Sequence, residues 1–258
     1  MNFGVSTACF YPMDLEKTII LLGKNNIENI EIFFNTYSEL SSEFINYVIK
    51  LTDEYKINVV SAHPFTCSFE PFMMFTNYQR RFEDSLEMQK PYFEAMQKLN
   101  AKIYVFHGDR QQSPMENKEY FERFAKLCDV AKPYGVTVAQ ENVQRCKSGS
   151  FDFLCEMVDY LDDVSLVFDN KQCLRSGIKH EDFISKLGKN IVHVHISDND
   201  ENSDCLAISR GNLNIGNLLN QLENQGFNKN VIVELYSNKI EQLDDIYDSY
   251  KKLIKTKI

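Results

Sequence analysis

Ile191-Val192-His193-Val194-His195-Ile196-Ser197-Asp198 is an apolar, β-branched run that carries two imidazoles and closes on a carboxylate. Alternate side chains of a strand share a face, so His193 and His195 point the same way, about two residues' rise apart. Only the one nearer the strand's carboxyl end reaches the mouth of a parallel sheet, where ligands bind, and that is His195. A strand histidine taken alone is more often a hydrogen-bonded core residue. What shifts the balance is that other strand-like runs of this chain end in the same manner.

Outward from that run, short β-rich segments alternate with longer helical patterns. Asn2 to Ala8 reads as a first strand and Met13 to Gly23 as a helix, with Asp14 as its cap ahead of Leu15, Ile19 and Leu22. Asn29 to Phe34 is a second strand, Tyr37 to Tyr55 a helix, and Asn58 to His63 a third strand. Asn77 to Leu99 is helical in pattern, but Pro91 should kink or divide it. The remaining strands are Lys102 to His107, Val136 to Glu141, Val164 to Asp169, Ile191 to Ile196 and Asn230 to Tyr236. The helices between and after them are Lys118 to Tyr134, Phe151 to Leu161, His180 to Leu187, Ile215 to Gln225 and Ile240 to Lys255. Eight β-then-α units predict an α/β protein with a single (β/α)8 TIM barrel. An open doubly wound sheet is the alternative, and no Gly-x-Gly-x-x-Gly follows the first strand to support a dinucleotide-binding version of it.

The 258 residues suffice for one large core, and the 10 glycines and 6 prolines are scattered rather than gathered into a linker, so residues 1–258 read as one domain. No basic-then-apolar leader and no span-length apolar run occurs, which predicts a soluble, cytoplasmic protein without a membrane partner. Seven cysteines, without a Cys-x-x-Cys pair, read as reduced packed thiols. A net charge of -9 argues against general binding of nucleic-acid backbones. Homo-oligomerisation stays open.

Six consecutive strands finish on a titratable or metal-competent side chain: His63, His107, Glu141, Asp169, His195 and Glu234. In a barrel these ends converge on the rim that carries active sites. Burying three carboxylates in one small mouth is strongly unfavourable unless a cation neutralises them or they share protons. One divalent metal held by Glu141, Asp169, His195 and Glu234 meets that requirement.

The set Gln-Glu141-Asn, Val-Phe-Asp169, His-Val-His195-Ile-Ser-Asp198 and Val-Glu234-Leu resembles the xylose-isomerase-like superfamily of sugar isomerases and epimerases, and within it the ketose 3-epimerases and inosose dehydratases. The resemblance runs from Gly4 to the last helix. It implies that the matching Glu, Asp, His and Glu bind one divalent ion, with manganese first and magnesium, cobalt or zinc as alternatives. It further implies a small carbohydrate substrate whose α-proton is removed and returned by the catalytic pair Glu141 and Glu234. His63 and His107 would bond substrate hydroxyls, or else orient the carboxylates.

Two departures matter. Family members often carry a histidine three residues after the strand-six Asp, where this chain has Gln172, able to donate to substrate but not to ligate as an imidazole. The related apurinic-site endonucleases add an Asp-x-His pair after strand seven; here Asn199 to Asn212 lacks the histidine, although a glycine turn remains at Gly211. A three-metal site is therefore incomplete, leaving open only whether a second ion binds at His63 and His107.

Phe65 to Tyr78, rich in aromatic residues, follows strand three and would overhang the mouth as a lid, a subunit contact or plain packing. Lys171, Arg145, Arg175 and Arg210 fall in loops on the same side and are candidates to read a substrate phosphate or carboxylate, Lys171 and Arg210 above all. The expectation is thus a metal-dependent sugar isomerase or epimerase. Alternatives are a dehydratase of a cyclic polyol or dehydroshikimate-like acid, a phosphodiester hydrolase on abasic DNA, and a non-catalytic sensor.

Overall fold

Parallel pairing of each strand with the next, and of the last with the first, closes eight strands into a barrel in sequence order. The structure, a computed structural model, describes residues 1–240 and 242–256. Its strands are β1 (Asn2–Ser6), β2 (Asn29–Phe33), β3 (Asn58–His63), β4 (Ile103–Phe106), β5 (Thr137–Glu141), β6 (Ser165–Asp169), β7 (Ile191–Ile196) and β8 (Asn230–Val233). The helices are α1 (Leu15–Lys24), α2 (Ser42–Tyr55), α3 (Glu70–Met73), α4 (Gln79–Leu99), α5 (Asn117–Ala131), α6 (Phe151–Tyr160), α7 (Asn170–Arg175), α8 (His180–Leu187), α9 (Ile215–Asn224) and α10 (Asp244–Thr256). Among the described residues no helix is long and apolar enough to cross a membrane.

The strands form where apolar runs are short enough to be covered on both faces, as parallel sheets require. All four residues of β4 are buried, as are the last four of β5, β6 and β7. One set of side chains packs under the helices in the main core, with Tyr104, Phe106, Phe168 and Val194 among them. The alternate set includes a separate small cluster of Ile103, Val105, Ala139 and Val167, below the level of Glu141 and Asp169. The register pairs Val167 with His193 and Asp169 with His195, so the inward-facing positions of β6 and β7 change from apolar to ionisable toward their carboxyl ends.

Several helices start where a short polar side chain takes up a free amide. Ser41 accepts from Phe44 N at 3.2 Å for α2, Ser150 from Phe153 N at 3.3 Å for α6, and Asn214 from Asn217 N at 3.0 Å for α9. Asp14 does not cap α1: its carboxylate pairs with Lys17 at 2.5 Å instead. Pro91 does not divide α4, which runs unbroken from Gln79 to Leu99. The proline ring faces solvent while Tyr92, Phe93, Ala95, Met96 and Leu99 continue the buried stripe, so packing outweighs the one backbone bond lost on the wet side. The last helix begins at Asp244 rather than Ile240; Glu241, in the predicted range, lies outside the described residues.

Two short helices were not expected. Glu70–Met73 forms α3 within the aromatic stretch after β3, and α7 starts directly on the end of β6. Lys171 therefore sits in the first turn of a helix and not in a loop.

Candidate metal centre at the barrel mouth

Asp169 shows how the chain builds this mouth. It ends β6 and caps α7, its Oδ1 accepting from Gln172 N at 3.1 Å, so only Oδ2 is left to face the barrel axis. Asn142 fixes the same corner from β5's end: its Oδ1 accepts from Asp169 N at 2.7 Å and its Nδ2 donates to Asp169 O at 3.0 Å. Beyond β7, Glu234 follows β8 directly and is held by a bond from its N to Ile196 O at 3.1 Å.

His195 stands at the centre. Its Nδ1 is 3.3 Å from Glu141 Oε1, 3.5 Å from Glu234 Oε2 and 3.9 Å from Asp169 Oδ2. One ligand atom from each of Glu141, Asp169, His195 and Glu234 lies within 4.8 Å of the others. Three hard carboxylate oxygens and one imidazole nitrogen suit a divalent ion of the manganese, cobalt or zinc kind, so these residues fit a resident metal.

The far side of His195 is organised by Glu31, a residue with no assigned part in the sequence reading. Its Oε2 accepts from Ser61 Oγ at 2.8 Å and lies 3.0 Å from Nε2 of both His193 and His195. Its Oε1 accepts from Ser6 Oγ at 3.2 Å. With Nε2–H directed to a carboxylate, Nδ1 of His195 is the nitrogen left to face the cluster; burial lowers the proton affinity of the ring, but Glu234 and Glu31 raise it well above the ordinary range, so a metal would take the place of the Nδ1 proton. His193 and His195 do share a face, and His193 is the deeper of the two, wholly buried against Glu31 and Ser61.

His63 and His107 form the neighbouring edge, with Nε2 to Nε2 at 2.8 Å, and His107 Nε2 stands 2.8 Å from Glu141 Oε2. Burial and the proximity of His107 drive His63 down to about 4, leaving it neutral. For His107 burial acts the same way, but Glu141 more than offsets it and draws the group up to about 10. Arg145 Nη2 opposes that, because it lies 3.2 Å from His107 Nδ1 and can only donate. The Nε2 proton of His107 faces Glu141 Oε2. His63, His107 and Glu141 also satisfy the spacing for a second three-donor cation site.

Lys171 brings the largest change to the sequence reading. Its side chain is 1% exposed, and Nζ bonds both Asp169 Oδ2 and Glu234 Oε2, the latter at 2.5 Å. Burial lowers the proton affinity of Lys171, but these two carboxylates raise it well above the ordinary lysine range. Burial pushes Asp169 up to about 6 against the pull of Lys171, so at neutral pH both partners are ionised. Glu141 and Glu234 are raised by burial and lowered more by the cationic and imidazole groups around them, so both are carboxylates.

A cavity of about 500 Å³ opens above these groups, lined by His63, His107, Glu141, Arg145, Gln172 and Glu234 among others. Phe65 and Cys67 contribute one wall, so the start of the aromatic stretch does overhang the mouth. Gln172 reaches the cavity while its Oε1 accepts from Gln144 N at 3.2 Å. Arg210 is not brought there: it is exposed and paired with Asp245 at 3.1 Å. Arg175 is likewise engaged, by Asp204 at 2.5 Å and Tyr236 Oη at 2.7 Å. The turn at Gly211 is organised by Asp198, whose Oδ2 accepts from Ser209 N at 2.8 Å and Gly211 N at 3.1 Å.

An uncharacterised protein of Methanocaldococcus jannaschii, MJ1311, is 26% identical over 249 residues, covering 91% of this chain and 83% of its own. An inosose isomerase of Bacillus velezensis is 31% identical over 130 residues, a match that spans 46% of this chain and 46% of that protein, less than half of either. Among solved structures, a D-tagatose 3-epimerase-like protein superposes with a TM-score of 0.82 at 21% identity, over 99% of this chain and 97% of that one. The IOLI protein with a bound zinc atom gives 0.77 at 20% identity, over 100% and 96%. The family model described as xylose isomerase-like TIM barrel matches residues 23–256, and the chain belongs to that family.

Proposed function

We propose that the protein is a divalent-metal-dependent isomerase or epimerase of a small ketose or polyol ketone. The observation that carries this is the convergence of Glu141, Asp169, His195 and Glu234 within 4.8 Å beneath a cavity that two of them, Glu141 and Glu234, also line. The names of the inosose isomerase and the D-tagatose 3-epimerase-like protein support the substrate class, and the zinc atom of the IOLI structure supports a metal.

Glu141, Asp169, His195 and Glu234 would hold the ion. A divalent cation there supplies Lewis acidity to a carbonyl and its adjacent hydroxyl, lowering the cost of the enediolate that forms as an α-proton leaves. The chain's own part is proton handling. Glu141 and Glu234 come from β5 and from the end of β8, well apart around the barrel, and both are ionised, so each can accept a proton from its own side of a bound sugar carbon. His107 directs its proton at Glu141 and so tunes that base, while neutral His63, with Nδ1 on the Pro64 carbonyl and Nε2 2.8 Å from His107 Nε2, can accept from a substrate hydroxyl once it gives up the His107 contact. Arg145, its guanidinium held against His107, and Gln172 offer further donors along the cavity. Phe65 and the wall it belongs to keep water from the reacting carbon.

The test is a proton NMR time course in deuterated buffer with manganese and a small ketose such as tagatose or an inosose. Wild type should wash deuterium into the carbon next to the carbonyl, and Glu141→Gln and Glu234→Gln should each slow turnover by roughly two to four decades. Turnover without deuterium incorporation, or full activity in both variants, would remove the two-carboxylate mechanism.

A further inference from the structure

The ammonium of Lys171 already does what the carboxylate cluster asks of a cation. It bonds Asp169 Oδ2 and Glu234 Oε2, the oxygens that stand 3.9 and 3.5 Å from His195 Nδ1. Asp169 turns Oδ2 to the site, since its Oδ1 accepts the α7 amide of Gln172. Nζ and a divalent ion would therefore compete for one Asp169 oxygen and one Glu234 oxygen, at a separation where two cations repel strongly in a dry site. The lysine is not there by accident of a long surface chain: it is 1% exposed and anchored in the first turn of α7. Its head lies 5.4 Å from the centre of the Tyr236 ring, which lines the cavity, so an aromatic face is at hand to receive it when it leaves the carboxylates.

We propose that Lys171 is an exchangeable internal cation: it neutralises the Asp169–Glu234 pair when no metal is bound, and metal uptake displaces it toward Tyr236. This rests on the metal reading given above. Two consequences follow from simple competition. Metal affinity is lower than the donor set alone would give, because only the fraction of molecules with the lysine withdrawn can bind. The metal-free barrel, in turn, is spared the cost of uncompensated buried carboxylates.

Both consequences are read by comparing full-length wild type with Lys171→Met, each stripped with a chelator and titrated with Mn2+ while free Mn2+ is counted by electron paramagnetic resonance. Lys171→Met should bind Mn2+ about tenfold more tightly or better, since the competitor is gone. Its melting temperature without metal should fall below that of wild type, and saturating Mn2+ should raise it by more than it raises wild type. If Lys171→Met does not fold without metal, Lys171→Gln, which keeps a neutral donor, carries the same comparison. Equal or weaker Mn2+ binding by the variant would overturn the exchange while leaving the metal site intact. Failure of both proteins to take up Mn2+ would overturn the metal reading itself and the exchange with it.

Discussion

Glu31 Oε2 lies 3.0 Å from His195 Nε2, on the side of the ring away from the carboxylate cluster, and this contact sets which nitrogen of His195 can ligate. The same oxygen serves His193 and Ser61, so the interaction is braced from three strands. Replacing the carboxylate weakens both the orientation and the basicity of the imidazole. Glu31→Gln should lose Mn2+ affinity by roughly ten- to a hundredfold, as removal of such supporting partners does elsewhere. Mn2+ titration of a folded Glu31→Gln protein checks this, and an unchanged affinity would reduce Glu31 to a packing role.

The strand-end residues should separate into two groups. Asp169→Asn and His195→Ala should mainly lower metal content, measured by elemental analysis after dialysis, whereas His63→Ala and His107→Ala should retain the ion and lower kcat or raise KM. A release of metal from His63→Ala as complete as from His195→Ala would place the ion at the edge of the mouth, with His63, His107 and Glu141, instead of at its centre.

Glu70, 2% exposed in α3, is pushed by burial up to about 7. Its folded state thus holds a proton that the unfolded chain, with an ordinary glutamate value near 4.5, gives up. Between those two values the folded form binds more protons, so stability must decline as pH rises from about 4.5 to 7 and stay reduced above. Glu70→Gln should be more stable than wild type at pH 8, by no more than roughly 3 kcal/mol, and the gain should vanish near pH 4.5. Urea unfolding at a series of pH values decides it; a gain that does not change with pH would exclude titration of Glu70 as its source.

Gly108, directly after His107, has φ +86°, and an added Cβ would collide with the Tyr120 hydroxyl. That hydroxyl donates to Gln140 Oε1 at 2.5 Å, and Gln140 Nε2 donates in turn to His107 O at 2.9 Å. Gly108→Ala should cost roughly 3 kcal/mol of stability, from a left-handed backbone and overpacking together, and should displace His107. Equilibrium unfolding beside a kinetic assay tests the pair, and a change within about 0.5 kcal/mol would contradict it.

What could be read from the chain follows from how a parallel barrel is covered. Strands wrapped on both faces must be apolar until they surface, so the polar residue that ends each run marks both the strand and the mouth, as at His63, Glu141, Asp169 and His195. Glu31 escaped that logic. In Asn29-Ile-Glu-Ile-Phe a mid-strand charge reads as outward-facing, and the partners that make its burial tolerable lie 162 and 164 residues away. The role of Lys171 was hidden for a similar reason: in a loop beside Asp169 it reads as a cation for a substrate anion, and the second carboxylate that draws it inside is 63 residues distant. The six residues of α7 are too few to show a helical period, so the cap on Asp169 went unseen.

That cap makes the backbone a listener to the chemistry. The two oxygens of Asp169 share one delocalised charge, one facing the site and the other accepting the Gln172 amide. Whichever cation holds the inner oxygen alters how strongly the outer one polarises that N–H. The amide resonance of Gln172 in a nitrogen–proton correlation spectrum, together with its exchange rate with water, therefore gives a readout of occupancy that needs no substrate and no turnover.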